Sequence, residues 1–103
     1  MDQRDHTCIN NTLKVIGAKW TVLILRELYD GTRRFGELQK SLGSISPRTL
    51  SQRLDQLEKE RIISKKVYPT VPLKVEYSIT KRGKSLGEII VKMRDWGESS
   101  EVL

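Results

Sequence analysis

Phe35-Gly36-Glu37-Leu38-Gln39-Lys40-Ser41-Leu42-Gly43-Ser44-Ile45-Ser46-Pro47-Arg48-Thr49-Leu50-Ser51-Gln52-Arg53-Leu54-Asp55-Gln56-Leu57, continuing to Ile63, is the stretch on which the fold turns. Leu38 and Leu42 lie four residues apart and so share one face of a short helix. Gly43 suits the left-handed position beyond a helix end. Ser46 can cap a second helix, and Pro47 fits its first position, where no backbone N–H is required. Leu50, Leu54 and Leu57 then recur at the helical period and mark a buried face. The spacing predicts two amphipathic helices joined by a tight turn, a helix-turn-helix over about residues 35–60.

The other face of the second helix carries the chemistry. At about 100° per residue, Arg48, Gln52, Asp55 and Lys59 point away from the leucines, with Thr49, Ser51 and Gln56 on the flanks. Arg, Gln, Ser and Thr near a helix N-terminus can reach base edges and phosphates in a major groove. Ser46, Arg48, Thr49, Ser51, Gln52 and Arg53 are therefore the candidate DNA contacts on this helix. An ordinary helical hairpin with a solvated polar face has the same pattern, and these residues alone leave both readings open.

Downstream of Ile63 the period changes. Ser64–Tyr68 and Val75–Thr80 favour strands, with Val75, Tyr77 and Ile79 alternating against Glu76 and Ser78. Pro69 and Pro72 exclude a regular central strand between them. The layout is a helix-turn-helix followed by a hairpin with a basic, proline-containing tip, a wing over about residues 64–80. Lys65, Lys66 and Lys74 are its candidate phosphate contacts; a plain structural hairpin with solvated lysines is the alternative. Thr80 can cap a last helix over about residues 81–97. Lys81, Arg82 and Lys84 in its first turn oppose the helix dipole, a cost that a nearby phosphate or solvent screening would relieve. Its apolar stripe is Leu86, Ile89, Ile90, Met93 and Trp96, wide for so small a core. Leu13, Leu86, Ile90, Met93 and Trp96 are the candidate contacts to a second copy. The alternative is that the whole stripe belongs to the intramolecular core.

Upstream, residues 1–7 are polar and expected to be mobile. A helix is expected from about Cys8–Asn11, carrying Leu13, Val15 and Ile16 and broken at Gly17. Trp20–Tyr29 is the most apolar helix, with Trp20, Leu23, Ile24 and Leu28 on one face and Thr21, Arg26 and Glu27 on the other. Asp30-Gly31 stops it. Thr32–Phe35 reads as a brief strand or an extended lead-in. Trp20 and Phe35 are expected to be structural, with Phe35 seating the helix-turn-helix on the preceding helix.

A chain of 103 residues supports one domain with a modest core. Nineteen basic against thirteen acidic residues leave a formal charge of +6, which favours an anionic partner, either nucleic acid or a membrane surface. No apolar run approaches the roughly 20 residues of a membrane span, and the first residues lack the apolar core of a signal peptide. One cysteine cannot make an internal disulfide, so a reduced, cytoplasmic setting is expected. His6 is the single histidine, and no His/Cys cluster has metal-ligand spacing. No Gly-rich loop follows a strand, and the serines have no well-placed base. Glu58, Glu60, Glu98 and Glu101 read as surface helix charges. No enzyme, metal or cofactor is expected.

The dispersed motifs resemble one family. Gly17-Ala18-Lys19-Trp20-Thr21 is similar to the Gly-Gly-Lys-Trp motif that opens HxlR-type winged-helix regulators. Arg34-Phe35-Gly36-Glu37-Leu38 resembles that family's Arg-Phe-x-Glu-Leu. Ile45-Ser46-Pro47-Arg48-Thr49-Leu50 resembles its Ile-Ser-x-x-x-Leu. Tyr68–Pro72, Val75–Ser78 and Thr80-Lys81-Arg82-Gly83 look like its wing and exit, and Trp96-Gly97 like its closing pair. The match runs in order from about Cys8 to Gly97. It implies an α+β, mainly helical fold, with a two-stranded wing and N- and C-terminal dimerisation helices, in a single domain over 1–103. It implies a homodimeric, sequence-specific regulator of transcription on double-stranded DNA with a pseudo-palindromic operator. Some members sense oxidants or electrophiles through a cysteine near the N-terminus, which marks Cys8 as the candidate sensor for such a small effector. A thiol near a helix N-terminus is the more reactive for it; the alternative is a small apolar residue under the first helix. Two positions depart from the pattern: Ala18 replaces the second glycine, and Ile9 follows Cys8 where many members have proline. A winged-helix protein-interaction module and a non-specific architectural nucleic-acid binder are the competing functions.

Overall fold

The computed structural model describes residues 3–17 and 19–99, apart from the side chains of residues 3–6 and of Ile16. His6, Arg4, Ile16, Ala18 and Glu101 thus fall, in whole or in side chain, outside the described residues. The elements in order are α1 (Gln3–Ile16), α2 (Lys19–Asp30), β1 (Arg33–Arg34), α3 (Phe35–Leu42), α4 (Pro47–Lys59), β2 (Ile63–Tyr68), β3 (Lys74–Ile79) and α5 (Lys81–Ser99). The strands form an antiparallel sheet in the order β1-β3-β2. This is a winged helix-turn-helix.

The turn between α3 and α4 follows its residues closely. Gly43 takes φ 71° after α3, and its N–H donates to the Gln39 carbonyl. The Thr49 N–H donates to the Ser46 hydroxyl, and Pro47 opens α4. Leu38, Leu50, Leu54 and Leu57 are buried together with Ile45 from the turn itself. Ile24, Leu25 and Leu28 of α2, Ile62 just before the sheet, Ile63 and Tyr77 within it, and Ile90 of α5 complete one core. Tyr77 is buried near Asp55 and Glu58, and its hydroxyl is held above its ordinary pKa, chiefly by burial.

Several expectations need correction. α1 begins at Gln3, not near Cys8. Its apolar residues Ile9 and Leu13, four apart on one face, are exposed. On α2 the buried set is Thr21, Ile24, Leu25 and Leu28. Thr21 lies inside rather than on the diluted face, and Leu23 is only half-buried. Trp20 and Phe35 are partly buried against the core. The brief strand expected within Thr32–Phe35 is present as β1, with Arg33 opposite Tyr77 and Arg34 opposite Glu76.

α5 approaches the sheet through glycines. A Cβ on Gly83 would collide with the Ile62 carbonyl, and one on Gly87 would stand 2.5 Å from Tyr29 Cδ1. This close approach turns Ile90 inward to 2 % exposure, so it belongs to the protomer's own core. It leaves Ile89, Met93 and Trp96 outside. Thr80 ties the helix to its neighbours: its hydroxyl donates to the Arg61 carbonyl at 2.7 Å and accepts from the Gly83 N–H at 3.0 Å. The Thr80 N–H donates to the Ile62 carbonyl at 3.0 Å.

Candidate nucleic-acid interface

The polar face of α4 stands free. Arg48, Ser51, Gln52, Asp55, Gln56 and Lys59 are all exposed, and Thr49 is half-buried on the flank. The hydroxyls of Ser46 and Thr49 are engaged with each other at 2.9 Å as part of the cap, so they fix the start of α4 while Arg48 and Gln52 project from its first two turns. Arg53 is half-buried between the two faces. Its Nε is shielded and has no hydrogen-bond partner among the described residues.

α4 ends in a Schellman turn: the Arg61 N–H donates to Glu58 O and the Ile62 N–H to Leu57 O, both at 3.0 Å. Arg61 is the left-handed residue, at φ 60°. Ile63 then starts β2 directly, so the wing springs from the end of α4 with no linker.

The register divides the wing into two faces. Ile63/Ile79, Lys65/Tyr77 and Val67/Val75 face one way; Ser64/Ser78, Lys66/Glu76 and Tyr68/Lys74 face the other. On the second face four side chains form a cluster. The Tyr68 hydroxyl donates to Glu76 Oε1 at 3.0 Å, and Lys74 Nζ lies 3.4 Å from Glu76 Oε2. The ammonium groups of Lys66 and Lys74 stand 5.0 and 4.7 Å from the Tyr68 ring centroid, within cation–π range. The hydrogen bond from Tyr68 holds the Glu76 carboxyl below the usual carboxylate range; burial opposes this, and Lys74 and Arg34 reinforce it.

Lys65 and Lys66 are therefore exposed cations on the wing, as expected, whereas Lys74 is half-buried and already paired. The tip is not basic. Residues 69–73 read Pro-Thr-Val-Pro-Leu and carry no charge; Val71 is fully exposed and Leu73 is 65 % exposed. The sequence reading missed the bracing role of Tyr68 and the position of Arg61 between α4 and the wing. The signal for Tyr68 was available in the alternation Lys66-x-Tyr68 opposite Lys74-x-Glu76, once the register was known.

Away from this surface, Cys8 is exposed in the second turn of α1, so the helix N-terminus does not act on it directly. Its carbonyl accepts from the Thr12 hydroxyl at 3.2 Å. Leu13, Ile9, Ile89, Met93 and Trp96 are exposed apolar side chains on α1 and α5, with Leu86 half-buried. Among the described residues no group of three or more His, Cys, Asp or Glu could hold a metal ion, and no helix is long and apolar enough to cross a membrane.

Comparison with known proteins agrees with this geometry. The chain is 43 % identical over 90 residues to YdeP of Bacillus subtilis (strain 168), an uncharacterized HTH-type transcriptional regulator, covering 87 % of this chain and 70 % of that one. It superposes on the redox regulator HypR in its oxidized form with a TM-score of 0.86 and 40 % identity, over 92 % of this chain and 98 % of HypR's. Diamide-treated YodB from B. subtilis gives a TM-score of 0.74 at 32 % identity, over 86 % and 88 % of the two chains. The model of the HxlR-like helix-turn-helix family matches residues 15–101. With relatives of this identity and coverage, and a family match spanning helix-turn-helix, wing and last helix, the chain belongs to the HxlR-like helix-turn-helix family.

Proposed function

We propose that this chain is a homodimeric transcriptional regulator that binds double-stranded DNA in a sequence-specific manner. The observation that carries this reading is the exposed Arg48–Gln52 face at the capped start of α4, together with Lys65 and Lys66 exposed on the wing that follows α4. α4 lies in the major groove; Arg48 and Gln52 read bases, with Ser51 and Thr49 beside them. Arg53, half-buried at the edge of this face, adds its charge toward the phosphates. The wings grip flanking phosphates or a minor groove: Lys65 and Lys66 hold the phosphates, and Lys74 adds charge while bracing Tyr68. Residues 1–103 act as one domain. The second copy is held through Ile9, Leu13, Ile89, Met93 and Trp96 with Leu86 at the edge, and a two-fold axis then requires a pseudo-palindromic operator. A net charge of +6 favours such an anionic partner.

The test is recovery of bound fragments from genomic DNA with the purified protein, followed by titration of a recovered duplex against random DNA at one salt concentration. A ratio of about 10³ or more supports specific binding; a ratio near one assigns the protein to non-specific binding. Arg48→Ala should lower operator affinity by roughly 1–3 kcal/mol and relax specificity at one position. Equal losses on operator and random DNA would remove its base-reading role.

Cys8 adds a second, regulatory reading. It is the single cysteine of the chain and is exposed, on a helix of the proposed dimer face, and two structural neighbours were solved in oxidized or oxidant-treated forms. We propose that oxidants or electrophiles modify Cys8 and shift the spacing of the two recognition helices. Operator affinity should fall after diamide treatment in the wild type and stay constant in Cys8→Ser. Unchanged wild-type affinity with Cys8 shown fully modified by mass spectrometry would end this reading.

A further inference from the structure

Building on the DNA-binding reading, we propose that the wing tip is an apolar wedge for the minor groove: Val71 and Leu73 press against a base step beside the α4 site while Lys65 and Lys66 hold the phosphates on its flanks. Single exposed apolar side chains are common and need no explanation. Here the combination calls for one. The chain is 31 % charged, yet its most prominent hairpin ends in five uncharged residues with an exposed valine and leucine.

The tip is held in shape before it meets anything. The Thr70 N–H donates to the Tyr68 carbonyl at 2.8 Å, and the Thr70 hydroxyl donates to the Pro72 carbonyl at 2.8 Å. Pro69 and Pro72 each fix a φ angle and remove a donor. Behind the tip, Tyr68 is tied to Glu76 and flanked by Lys66 and Lys74. A side chain presented on so constrained a loop loses little freedom on binding. A preorganised apolar tip fits a role in contact better than a passive turn.

Charge chooses the occupant. Lys65, Lys66, Lys74 and Arg34 stand at or behind the tip against Glu76 alone on the paired strands, so the surroundings are cationic. An apolar tip rising from a cationic root matches a groove floor of base edges between two rows of phosphates. The root of the wing joins α4 through Arg61 and Ile62 and is fastened at Thr80. A duplex seated on α4 therefore passes the wing at a fixed distance. Apolar side chains used in this way partially unstack a base step and kink the duplex by about 20–90°.

The experiment uses the full chain and a duplex recovered from genomic DNA, end-labelled for energy transfer and carrying 2-aminopurine at successive positions flanking the α4 site. Wild type should shorten the end-to-end distance and raise 2-aminopurine fluorescence at one step. Val71→Ser/Leu73→Ser, altered only at exposed positions, should lose about tenfold in affinity and most of the bend, with an unchanged salt slope. Val71→Ile should retain both. A double variant that binds and bends as the wild type does would overturn the wedge and give the tip to a protein partner. A wild type with no salt-dependent DNA binding would instead overturn the underlying DNA-binding reading, and the wedge with it.

Discussion

Arg61 occupies a backbone conformation that an L-residue adopts reluctantly, φ 60° at the position past α4 where glycine is the common choice. The two hydrogen bonds of the Schellman turn and the burial of Leu57 and Ile62 hold it there. Arg61→Gly should relieve the left-handed cost, offset in part by glycine's larger entropy loss on folding, for a net gain of about 0.5–1 kcal/mol. A higher urea midpoint with an unchanged slope would show it. At this scale the sequence was legible wherever a residue's chemistry has one outlet. Gly43, Ser46 and Pro47 each solve a separate problem of backbone geometry, and the turn they define is the observed one. Thr21, Ile45 and Leu25 were not legible as core, because a residue beside the expected stripe moves inside only when a neighbouring element comes close enough to cover it.

The wing shows how an element's stability depends on a few polar contacts. Glu76 has a lowered carboxyl pKa, first through the Tyr68 hydroxyl and then through Lys74 and Arg34, with burial opposing. A carboxyl whose folded pKa is depressed contributes stability above its unfolded value, about 4.3 for glutamate. That contribution is lost as pH falls through the folded value. The difference between urea midpoints at neutral pH and near pH 3 should therefore be smaller in Glu76→Gln than in the wild type. An unchanged difference would show that the cluster does not couple to folding. Both strands were legible from alternation and from the two prolines. The partition of charge was not. Lys74 looks equivalent to Lys65 and Lys66 until the register pairs it with Tyr68 and sets it beside Glu76, and a tip flanked by lysines reads as basic although it carries none. α1 was misread at its start because Gln3–Thr7 offers no apolar residue to extend the pattern that Ile9 and Leu13 begin.

For the molecule as a whole, the open question in the sequence was which chain covers the stripe of α5. Gly83 and Gly87 supply half of the answer: by admitting the sheet and Tyr29 they draw Ile90 into the protomer and leave Met93 and Trp96, at 64 % exposure, outside. In the proposed dimer those side chains form the seam. Met93→Glu should move the sedimenting species from dimer to monomer at micromolar concentration and weaken operator binding, while the isolated fold keeps its thermal midpoint; dimeric mass in this variant would place the seam elsewhere. Half-sites about 34–36 Å apart, or a multiple, are then expected. The fastening at Thr80 carries this further. One side chain clasps the end of α4, the root of the wing and the start of α5, so reading head and handle turn together. Such a body resembles a key whose bit is cut in one piece with its shaft. A lineage adapting to a differently spaced operator has little to gain by loosening the wing. It must lengthen the shaft, and because each added residue turns a helix by about 100°, only near-whole turns return the bit to the same face of the DNA.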